Sequence, residues 1–306
     1  MKIIRIATRK SPLALWQANR VKEQLEEADL SAELVEVETE GDRKLETSIS
    51  EIGSKGVFTQ ELEALLSSGE VDIAVHSAKD LQSDLPEGFD IISIGEREGV
   101  NDVLVSTSEI DLSSEVVIGT SSTRRVAQFG HHYPHIKTTS VRGNLETRIN
   151  KMKSGECDAL ILARAGVMRM GYEDLIVHEF PLEQFTPQPG QGSIAIEAFE
   201  SIHPTIRKLI KAATNHSNSF KEVNCERAFL QTLGGGCSIP TYAHCMVEGE
   251  TFTLRAGLLS LDGQQRFEVQ DSGDDGVELG KRLAEEILTQ GGDQLLRDIQ
   301  SQLGYL

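Results

Sequence analysis

The fold class is decided by residues 3–12, IIRIATRKSP. The apolar first half of this stretch predicts a strand, and Ser11 followed by Pro12 predicts the N-cap and first turn of a helix extending from Leu13 to Ala28. The run Ala32–Thr39 predicts a second strand. Strand, helix and strand in this order indicate an α/β fold with a parallel sheet.

Later parts of the chain repeat the pattern of an apolar strand that ends in a polar turn. In open α/β sheets the ligand crevice lies at the carboxyl ends of the strands, so these turns are candidate binding positions. The strands and the turns that follow them are Val71–Val75 with His76-Ser77-Ala78-Lys79-Asp80, Val116–Ile118 with Gly119-Thr120-Ser121-Ser122-Thr123-Arg124-Arg125, Lys137–Val141 with Arg142-Gly143-Asn144 and Arg148, and Ala159–Ala163 with Arg164 to Arg169.

The length of the chain and changes in its sequence pattern predict several domains. A chain of 306 residues exceeds the roughly 100–200 residues typical of one domain. A charged connection at 96–102 predicts a crossing into a second α/β domain, and the glycine-rich segment Gln188-Pro189-Gly190-Gln191-Gly192 predicts a return. After about residue 217, a helix, three strand-like runs and a final amphipathic helix indicate an α+β unit. The predicted domains are 1–97 with 193–215, then 98–192, then 216–306.

Composition excludes several classes of protein. The chain has 39% hydrophobic and 25% charged residues, which is ordinary for a globular protein, and no apolar run approaches the roughly 20 residues of a membrane span. Its formal net charge of −18 argues against a nucleic-acid partner, because phosphate contacts call for a basic face. The N-terminus reads as a strand rather than a signal peptide, so a cytoplasmic location is expected.

The four cysteines are interpreted as reduced thiols, because none forms a C-x-x-C pair. Cys225, Cys237 and Cys245 with a histidine could form a zinc site, but their spacing matches no standard finger. The histidines of HHYPH, residues 131–135, are expected in an exposed turn rather than at a metal. No metal is predicted.

Cys237 lies in the loop Gly234-Gly235-Gly236-Cys237-Ser238, just after a predicted helix. Glycines let another group approach the main chain closely, so the thiol could be an attachment point. The alternative is a helix C-cap followed by a buried, inert cysteine. The loop alone leaves both interpretations open.

Arginines recur where predicted strands lead into helices. A cation at a helix N-terminus opposes the helix dipole, so Arg124 and Arg125 indicate a bound anion. Several such turns suit a small molecule with more than one carboxylate or phosphate. Asp80 is a candidate acid or base, although Lys79 and Asp80 could also be a solvated pair. The residues therefore support either an enzyme acting on a polyanionic small molecule or a two-lobed binding module.

Taken together and in order, the motifs of the whole chain resemble the porphobilinogen deaminase (hydroxymethylbilane synthase) family. The resemblance is carried by IATRKSPLALWQA at 6–18, GSKGVF at 53–58, HSAKD at 76–80, GTSSTRR at 119–125, RGN at 142–144 with Arg148, LARAG at 162–166, PGQG at 189–192, ERA at 226–228 and GGCSIP at 235–240.

The resemblance implies an α/β protein of three domains: two lobes like those of type II periplasmic binding proteins and a small C-terminal α+β domain. It also implies a transferase of tetrapyrrole and heme biosynthesis, monomeric and cytoplasmic. Such an enzyme carries one covalent dipyrromethane cofactor, attached to Cys237 through a thioether. Four porphobilinogen molecules are added to it head to tail, and hydroxymethylbilane is released by hydrolysis.

The family motifs also imply roles for individual residues. Asp80 is the expected catalytic group, which serves the pyrrole nitrogens and the developing cation. The residues expected to bind cofactor or substrate are Arg9, Ser11, Lys55, Ser77, Lys79, Thr120, Ser121, Ser122, Arg124, Arg125, Arg142, Gly143, Arg148, Arg169 and Gln191.

Two positions depart from the family pattern. Glu51 stands where the family usually has lysine, and Gln82 stands where proline commonly follows Lys-Asp-Leu. Glu51 would weaken the attraction of its loop for carboxylates. An inactive paralogue is therefore a further alternative.

Overall fold

The computed structural model describes residues 3–39, 59–236 and 238–305. Glu51 and the predicted site residues Lys55 and Cys237 lie outside the described residues. By the contacts among its residues the chain divides into two compact units, Met1–Glu98 with Gly192–Val223 and Gly99–Gln191 with Asn224–Leu306. The chain therefore passes from one unit to the other after residues 98, 191 and 223. The sequence analysis predicted domain boundaries after residues 97, 192 and 215.

Strands and helices alternate through most of the chain, as the opening pattern predicts. The strands are β1 Ile4–Arg9, β2 Ala32–Val37, β3 Ile73–Ser77, β4 Phe89–Ile94, β5 Asp102–Val105, β6 Val117–Gly119, β7 Lys137–Thr139, β8 Ala159–Ala163, β9 Ile176–Glu179, β10 Ile194–Phe199, β11 Thr241–Glu248, β12 Thr251–Leu259 and β13 Arg266–Gly273. The α-helices are α1 Pro12–Glu27, α2 Gln60–Ser68, α3 Thr123–His132, α4 Leu145–Lys153, α5 Arg164–Arg169, α6 Pro204–Thr214, α7 Ser217–Leu233, α8 Gly276–Ile287 and α9 Asp293–Gln302.

The first unit contains a five-stranded sheet in the order β2-β1-β3-β10-β4. Strand β1 pairs in parallel with β2 and β3, whereas β10 is antiparallel to β3 and β4. Just before β10, Gly192 has a φ of +89°, and a Cβ at this position would lie 2.5 Å from the carbonyl oxygen of Glu98. Only glycine fits where the returning chain passes so close to the outgoing one.

The second unit contains a five-stranded sheet with the same arrangement, in the order β7-β6-β8-β5-β9. Strand β6 pairs in parallel with β7 and β8, and β5 is antiparallel to β8 and β9. Its core includes Phe129, Phe180 and Phe185, which are fully buried. Because β6, β7 and β8 are parallel, the turns that follow them lie at one edge of the sheet.

The C-terminal part of the second unit is an antiparallel meander, β11-β12-β13, packed with α7, α8 and α9. Its own core joins Phe229 of α7, Leu254 of β12, Leu283 of α8 and Ile299 of α9, all at most 1% exposed. Strands in sequence followed by helices form an α+β arrangement, so the predicted character of this region is confirmed.

Among the elements that the sequence analysis did not assign are β9, α5, α6 and α9. The structure also ends β7 at Thr139 and begins α4 at Leu145, so Arg142 and Gly143 lie in the connecting turn rather than in a helix. The histidines 131 and 132 belong to the last turn of α3 and not to the turn after it. None of the helices described here is long and apolar enough to span a bilayer.

Candidate functional site

In the first unit, the turn between β1 and α1 carries Arg9 and Ser11. Ser11 is the N-cap of α1, as predicted, and its Oγ accepts a hydrogen bond from the backbone N–H of Ala14 at 3.3 Å. The hydroxyl of Thr8 donates to the carbonyl of Ala14 at 3.1 Å, which ties the end of the strand to the first turn of the helix. Arg9 is the last residue of β1 and is half-buried. The turn thus holds a cation next to a helix N-terminus.

The end of β3 carries Ser77, Lys79 and Asp80 in the same unit. Ser77 closes the strand, and a single 3₁₀ turn, Ala78–Asp80, follows it. The side-chain amide of Gln17, from α1, donates to Oγ of Ser77 at 2.9 Å. Because β1 and β3 are parallel, Arg9 and this turn lie at the same edge of the sheet.

Asp80 is the exposed member of this group. Its side chain makes no hydrogen bond or ion pair within the part of the chain that the structure describes. Lys79 beside it is half-buried and does interact with other residues. An exposed carboxylate held on a short turn at the sheet edge is available to exchange protons with a bound molecule.

In the second unit, the hydroxyl-rich turn after β6 is tied to the turn after β7. Thr120 is buried, and its Oγ1 accepts a hydrogen bond from the backbone N–H of Ser122 at 3.2 Å. Ser121 Oγ lies 3.0 Å from Oγ of Ser140 and donates to the carbonyl of Val141, also at 3.0 Å. Ser122 occupies the N-cap position of α3, but its side chain makes no capping bond.

The turn from β7 to α4 brings Arg142, Gly143 and Arg148 together. Gly143 has a φ of +117°, and a Cβ there would lie 2.7 Å from Cγ2 of Thr147, so this position favours glycine. Asn144 is the N-cap of α4 and accepts from the backbone N–H of Thr147 at 2.8 Å. Arg148 lies on the first turn of α4, with Nε 3.4 Å from the carbonyl oxygen of Asn144. Arg142 and Arg148 are both half-buried.

Arg169 ends the short helix α5, which follows β8. It is half-buried, like Arg142 and Arg148. Since β6 and β7 are parallel neighbours, the predicted residues that follow these two strands lie at the carboxyl edge of one sheet, whereas Arg169 lies at the far end of α5 and Gln191 in the segment before β10.

Arg124 and Arg125 are the most buried of the predicted arginines, with 2% and 6% of their surfaces exposed. They share the carboxylate of Asp102, which is fully buried at the start of β5. Nη1 of Arg124 donates to Oδ2 of Asp102 at 2.7 Å, and Nη2 of Arg125 donates to Oδ1 at 2.8 Å. One of the two positive charges is therefore balanced inside the protein.

Gln191, the fourth member of this cluster, is also fully buried. Its side-chain nitrogen donates to Oδ1 of Asp102 at 2.9 Å and to the carbonyl of Val100 at 2.6 Å. The predicted residues Arg124, Arg125 and Gln191 thus converge on a single carboxylate. Burial works to raise the pKa of Asp102, but the charges and hydrogen bonds of the two arginines outweigh it and hold that pKa well below its usual range.

Some donors of the two arginines have no hydrogen-bond acceptor within the part of the chain that the structure describes. Among the described residues, Nε and Nη2 of Arg124 and Nε of Arg125 are buried without a hydrogen-bond partner. Buried donors of a guanidinium group are normally paired, and a carboxylate is the group that they pair with best. The cluster has a net positive charge and spare donors, which fits a bound carboxylate.

Comparison with protein families identifies the family of this chain. A family model described as "Porphobilinogen deaminase, dipyromethane cofactor binding domain" matches residues 4–206, and one described as "Porphobilinogen deaminase, C-terminal domain" matches residues 220–289. The chain belongs to the porphobilinogen deaminase family. The family, the α/β fold class, the transferase class, the role in tetrapyrrole biosynthesis and the dipyrromethane cofactor predicted from the sequence are thereby confirmed.

Curated relatives in the porphobilinogen deaminase family match the chain over nearly its full length. The porphobilinogen deaminase of Desulfosudis oleivorans is 46% identical over 98% of this chain and 98% of its own. That of Cytophaga hutchinsonii is 47% identical over 99% of this chain and 98% of its own. Among solved structures, the second substrate-binding domain of an amino-acid ABC transporter from Streptococcus pneumoniae aligns with a TM-score of 0.43, at 11% identity over 76% of this chain and 95% of that chain. That likeness is too weak to carry an argument.

The residues at hand fit the acidic cofactor of the porphobilinogen deaminase family. The unpartnered donors of Arg124 and Arg125 suit a carboxylate side chain, and the neighbouring turns add Arg142, Arg148 and Arg169. Cys237, the predicted attachment residue, lies outside the described residues, so this role stays a prediction. The other three cysteines are buried, with 6% exposure at Cys157 and none at Cys225 and Cys245.

Sequence reasoning missed two residues that organise the candidate site. Asp102 was read only as part of a charged connection, although two adjacent arginines at a helix N-terminus require an anion nearby. Gln17 was also overlooked. It is buried on the same stripe of α1 as Val21 and Leu25, and a polar residue in an apolar stripe signals a buried hydrogen bond.

Proposed function

We propose that this protein is a hydroxymethylbilane synthase that deaminates porphobilinogen and joins four molecules of it head to tail on a dipyrromethane primer. The observation that best supports this activity is the pair Arg124 and Arg125, which shares one internal carboxylate and keeps buried donors for another. Porphobilinogen and the primer both carry acetate and propionate side chains, which are the groups such donors recognise.

The binding residues are proposed residue by residue from the family motifs. Arg9 in the first unit, and Arg124, Arg125, Arg142, Arg148 and Arg169 in the second, bind carboxylates of cofactor and substrate. Ser11, Ser77, Lys79, Thr120, Ser121, Ser122, Gly143 and Gln191 support them, and Lys55 adds a basic residue. The turn geometry supports these roles, because the described residues other than Arg169 and Gln191 lie at or near the end of a strand or the start of a helix.

Asp80 is proposed to move protons during condensation. Porphobilinogen loses ammonia when the bond from its aminomethyl carbon to nitrogen breaks, which leaves an electrophilic carbon. The developing positive charge must then be stabilised, and the proton of the pyrrole N–H must be accepted and later returned. A new carbon–carbon bond then forms at a free pyrrole α-carbon, which gives up its proton. When bound, the primer supplies that nucleophilic carbon. The exposed carboxylate of Asp80 can accept and return the pyrrole proton and can stabilise the developing cation.

Cys237 is proposed to hold the primer through a thioether. The burial of Cys157, Cys225 and Cys245 supports this choice, since a cofactor cannot be attached to a sulfur enclosed in a core. A monomeric state, a cytoplasmic location and the division into three domains remain predictions from the family resemblance.

The experiment that tests the function is intact mass spectrometry with Ehrlich's reagent, followed by measurement of ammonia release from porphobilinogen. The wild-type chain should exceed the mass of its sequence by one dipyrromethane, colour with the reagent and release ammonia. Cys237→Ala should show the unmodified mass and no colour, whereas Cys157→Ala should stay modified. A two-lobed binding module would be unmodified, and an inactive paralogue would be loaded without releasing ammonia. Modification that persists in Cys237→Ala would contradict the attachment.

A further inference from the structure

Asp102 contacts three of the predicted binding residues in the second unit. Its Oδ2 accepts from Arg124 at 2.7 Å, and its Oδ1 accepts from both Arg125 at 2.8 Å and Gln191 at 2.9 Å. The carboxylate is completely buried. Both of its oxygens are therefore used by groups expected to serve the substrate, and none of its surface is available to touch the substrate itself.

Further hydrogen bonds fix the planes of the two guanidinium groups. Nη1 of Arg124 also donates to Oε1 of Gln128 at 2.8 Å and to the carbonyl of Thr186 at 3.0 Å. Nη1 of Arg125 donates to the carbonyl of Ile161 at 3.1 Å. With these directions occupied, the donors that remain are Nε and Nη2 of Arg124 and Nε of Arg125. The hydrogen bonds to Asp102 therefore determine the direction in which the unpartnered N–H groups of the two arginines point.

We propose that Asp102 is a positioning residue for porphobilinogen turnover, which acts by holding Arg124 and Arg125 in the orientation that receives a substrate or cofactor carboxylate. This inference rests on the proposed function. Two guanidinium charges and one carboxylate leave a single net positive charge, which matches one incoming carboxylate. Without Asp102, two adjacent buried cations would repel each other and turn apart.

An asparagine at this position would not replace the aspartate. Its amide has one acceptor oxygen and an NH₂ group that would face an arginine N–H, donor against donor. At least one guanidinium group must then rotate away. Because a misplacement of about 1 Å at a site can cost about 10²-fold in rate, a change of this kind should be visible in kinetics.

A double-mutant cycle tests the proposal. The variants are Asp102→Asn, Arg124→Gln and the double Asp102→Asn/Arg124→Gln, with kcat and KM measured by ammonia release from porphobilinogen. We expect Asp102→Asn to lower kcat/KM by about 30- to 100-fold. The double variant should fall by clearly less than the product of the two single effects, because part of the effect of Asp102 passes through Arg124 and the rest through Arg125. Multiplication of the two single effects would overturn the proposal.

A matched control separates positioning from stability. Asp72→Asn removes a carboxylate from an aspartate–arginine pair in the first unit, where Asp72 accepts from Nε of Arg5 at 3.1 Å. This variant should lose stability and keep the wild-type kcat/KM. If Asp102→Asn behaves in the same way, Asp102 is a structural residue only, and the proposal is wrong.

A second variant covers failure of Asp102→Asn to fold. Asp102→Glu keeps the negative charge but moves the carboxylate by one methylene, so KM for porphobilinogen should rise by at least about tenfold. An unchanged KM would overturn the proposal. Absence of ammonia release from the wild type would overturn the proposed function and this inference together, whereas an active wild type with unaffected variants would overturn only the role of Asp102.

Discussion

Nε2 of His76 lies 3.0 Å from Oε2 of Glu197, and both side chains are almost completely enclosed, with 4% and 0% exposed. The two residues come from the paired antiparallel strands β3 and β10. Within the described residues, neither oxygen of Glu197 has a hydrogen-bond partner, so the attraction is one of charge when His76 is protonated. His76 directly precedes Ser77 and the turn that ends at Asp80, so the pair supports the strand that presents the proposed catalytic carboxylate.

Replacing the histidine should therefore be more harmful than removing both partners. His76→Gln removes the ring that faces Glu197 and leaves the buried carboxyl group without this partner, so we expect the free energy of unfolding to fall by about 3 kcal/mol. The double variant His76→Gln/Glu197→Gln places two uncharged amides at these positions and should regain most of that loss. Urea denaturation at pH 7 measures both. A double variant less stable than His76→Gln would show that the pair is not held by its charges.

Glu63 gives a pH-dependent prediction in the same unit. Burial is the main cause that raises its pKa, and the nearby Glu197 raises it further, while the neighbouring Thr59 and His76 act in the opposite direction. A raised pKa means that the folded state favours the protonated form, so its stabilisation is present at acid pH and is lost as pH rises through the folded pKa. Glu63→Gln should thus gain stability over the wild type as pH increases from 4 to 8, measured by thermal melting. Glu70→Gln, an exposed control, should leave the pH profile unchanged.

Much of the fold was predictable because its signals are local. Apolar runs and a capping residue indicate both the strand before Ser11-Pro12 and the buried strand near His76, and both strands are present, although the second begins at Ile73 and continues through Ser77. Strand β9 was missed because Ile176–Glu179 has two exposed positions and only four residues. Its place is given by pairing with β5, which is a distant interaction that a local pattern does not contain.

The candidate site was only partly predictable for a similar reason. The sequence places Arg124 and Arg125 at a helix start and suggests that an anion is needed. It does not show that Asp102 supplies one, because that contact joins α3 to β5 across the sheet. A residue that neutralises a predicted binding group can be found only when the order of the strands in the sheet is known.

Asp80 should be essential for turnover and unimportant for folding. It is exposed and makes no bond to the described residues, so Asp80→Asn should retain wild-type stability and a loaded chain. Loss of a positioned acid or base typically lowers the rate by about 10²–10⁴-fold, and kcat should fall accordingly. Ammonia release measures this, and intact mass shows whether substrate units stay attached. Asp84→Asn, an exposed neighbour, is the control, and full turnover by Asp80→Asn would remove Asp80 from the mechanism.

His132 should make the second unit sensitive to acid. Burial, followed by the neighbouring charges of His131 and Arg266, lowers the pKa of His132 from 6.5 to about 4. As pH falls from 6.5 towards 4, the unfolded state binds a proton at His132 that the folded state does not bind, so the free energy of unfolding declines over this interval. A fully buried group would lose about 3 kcal/mol, and partial exposure reduces this to about 1–2 kcal/mol. His132→Gln should flatten the dependence in urea titrations at pH 7 and 4.5, whereas the exposed His135→Gln should keep it. Equal slopes for His132→Gln and the wild type would show that another group titrates.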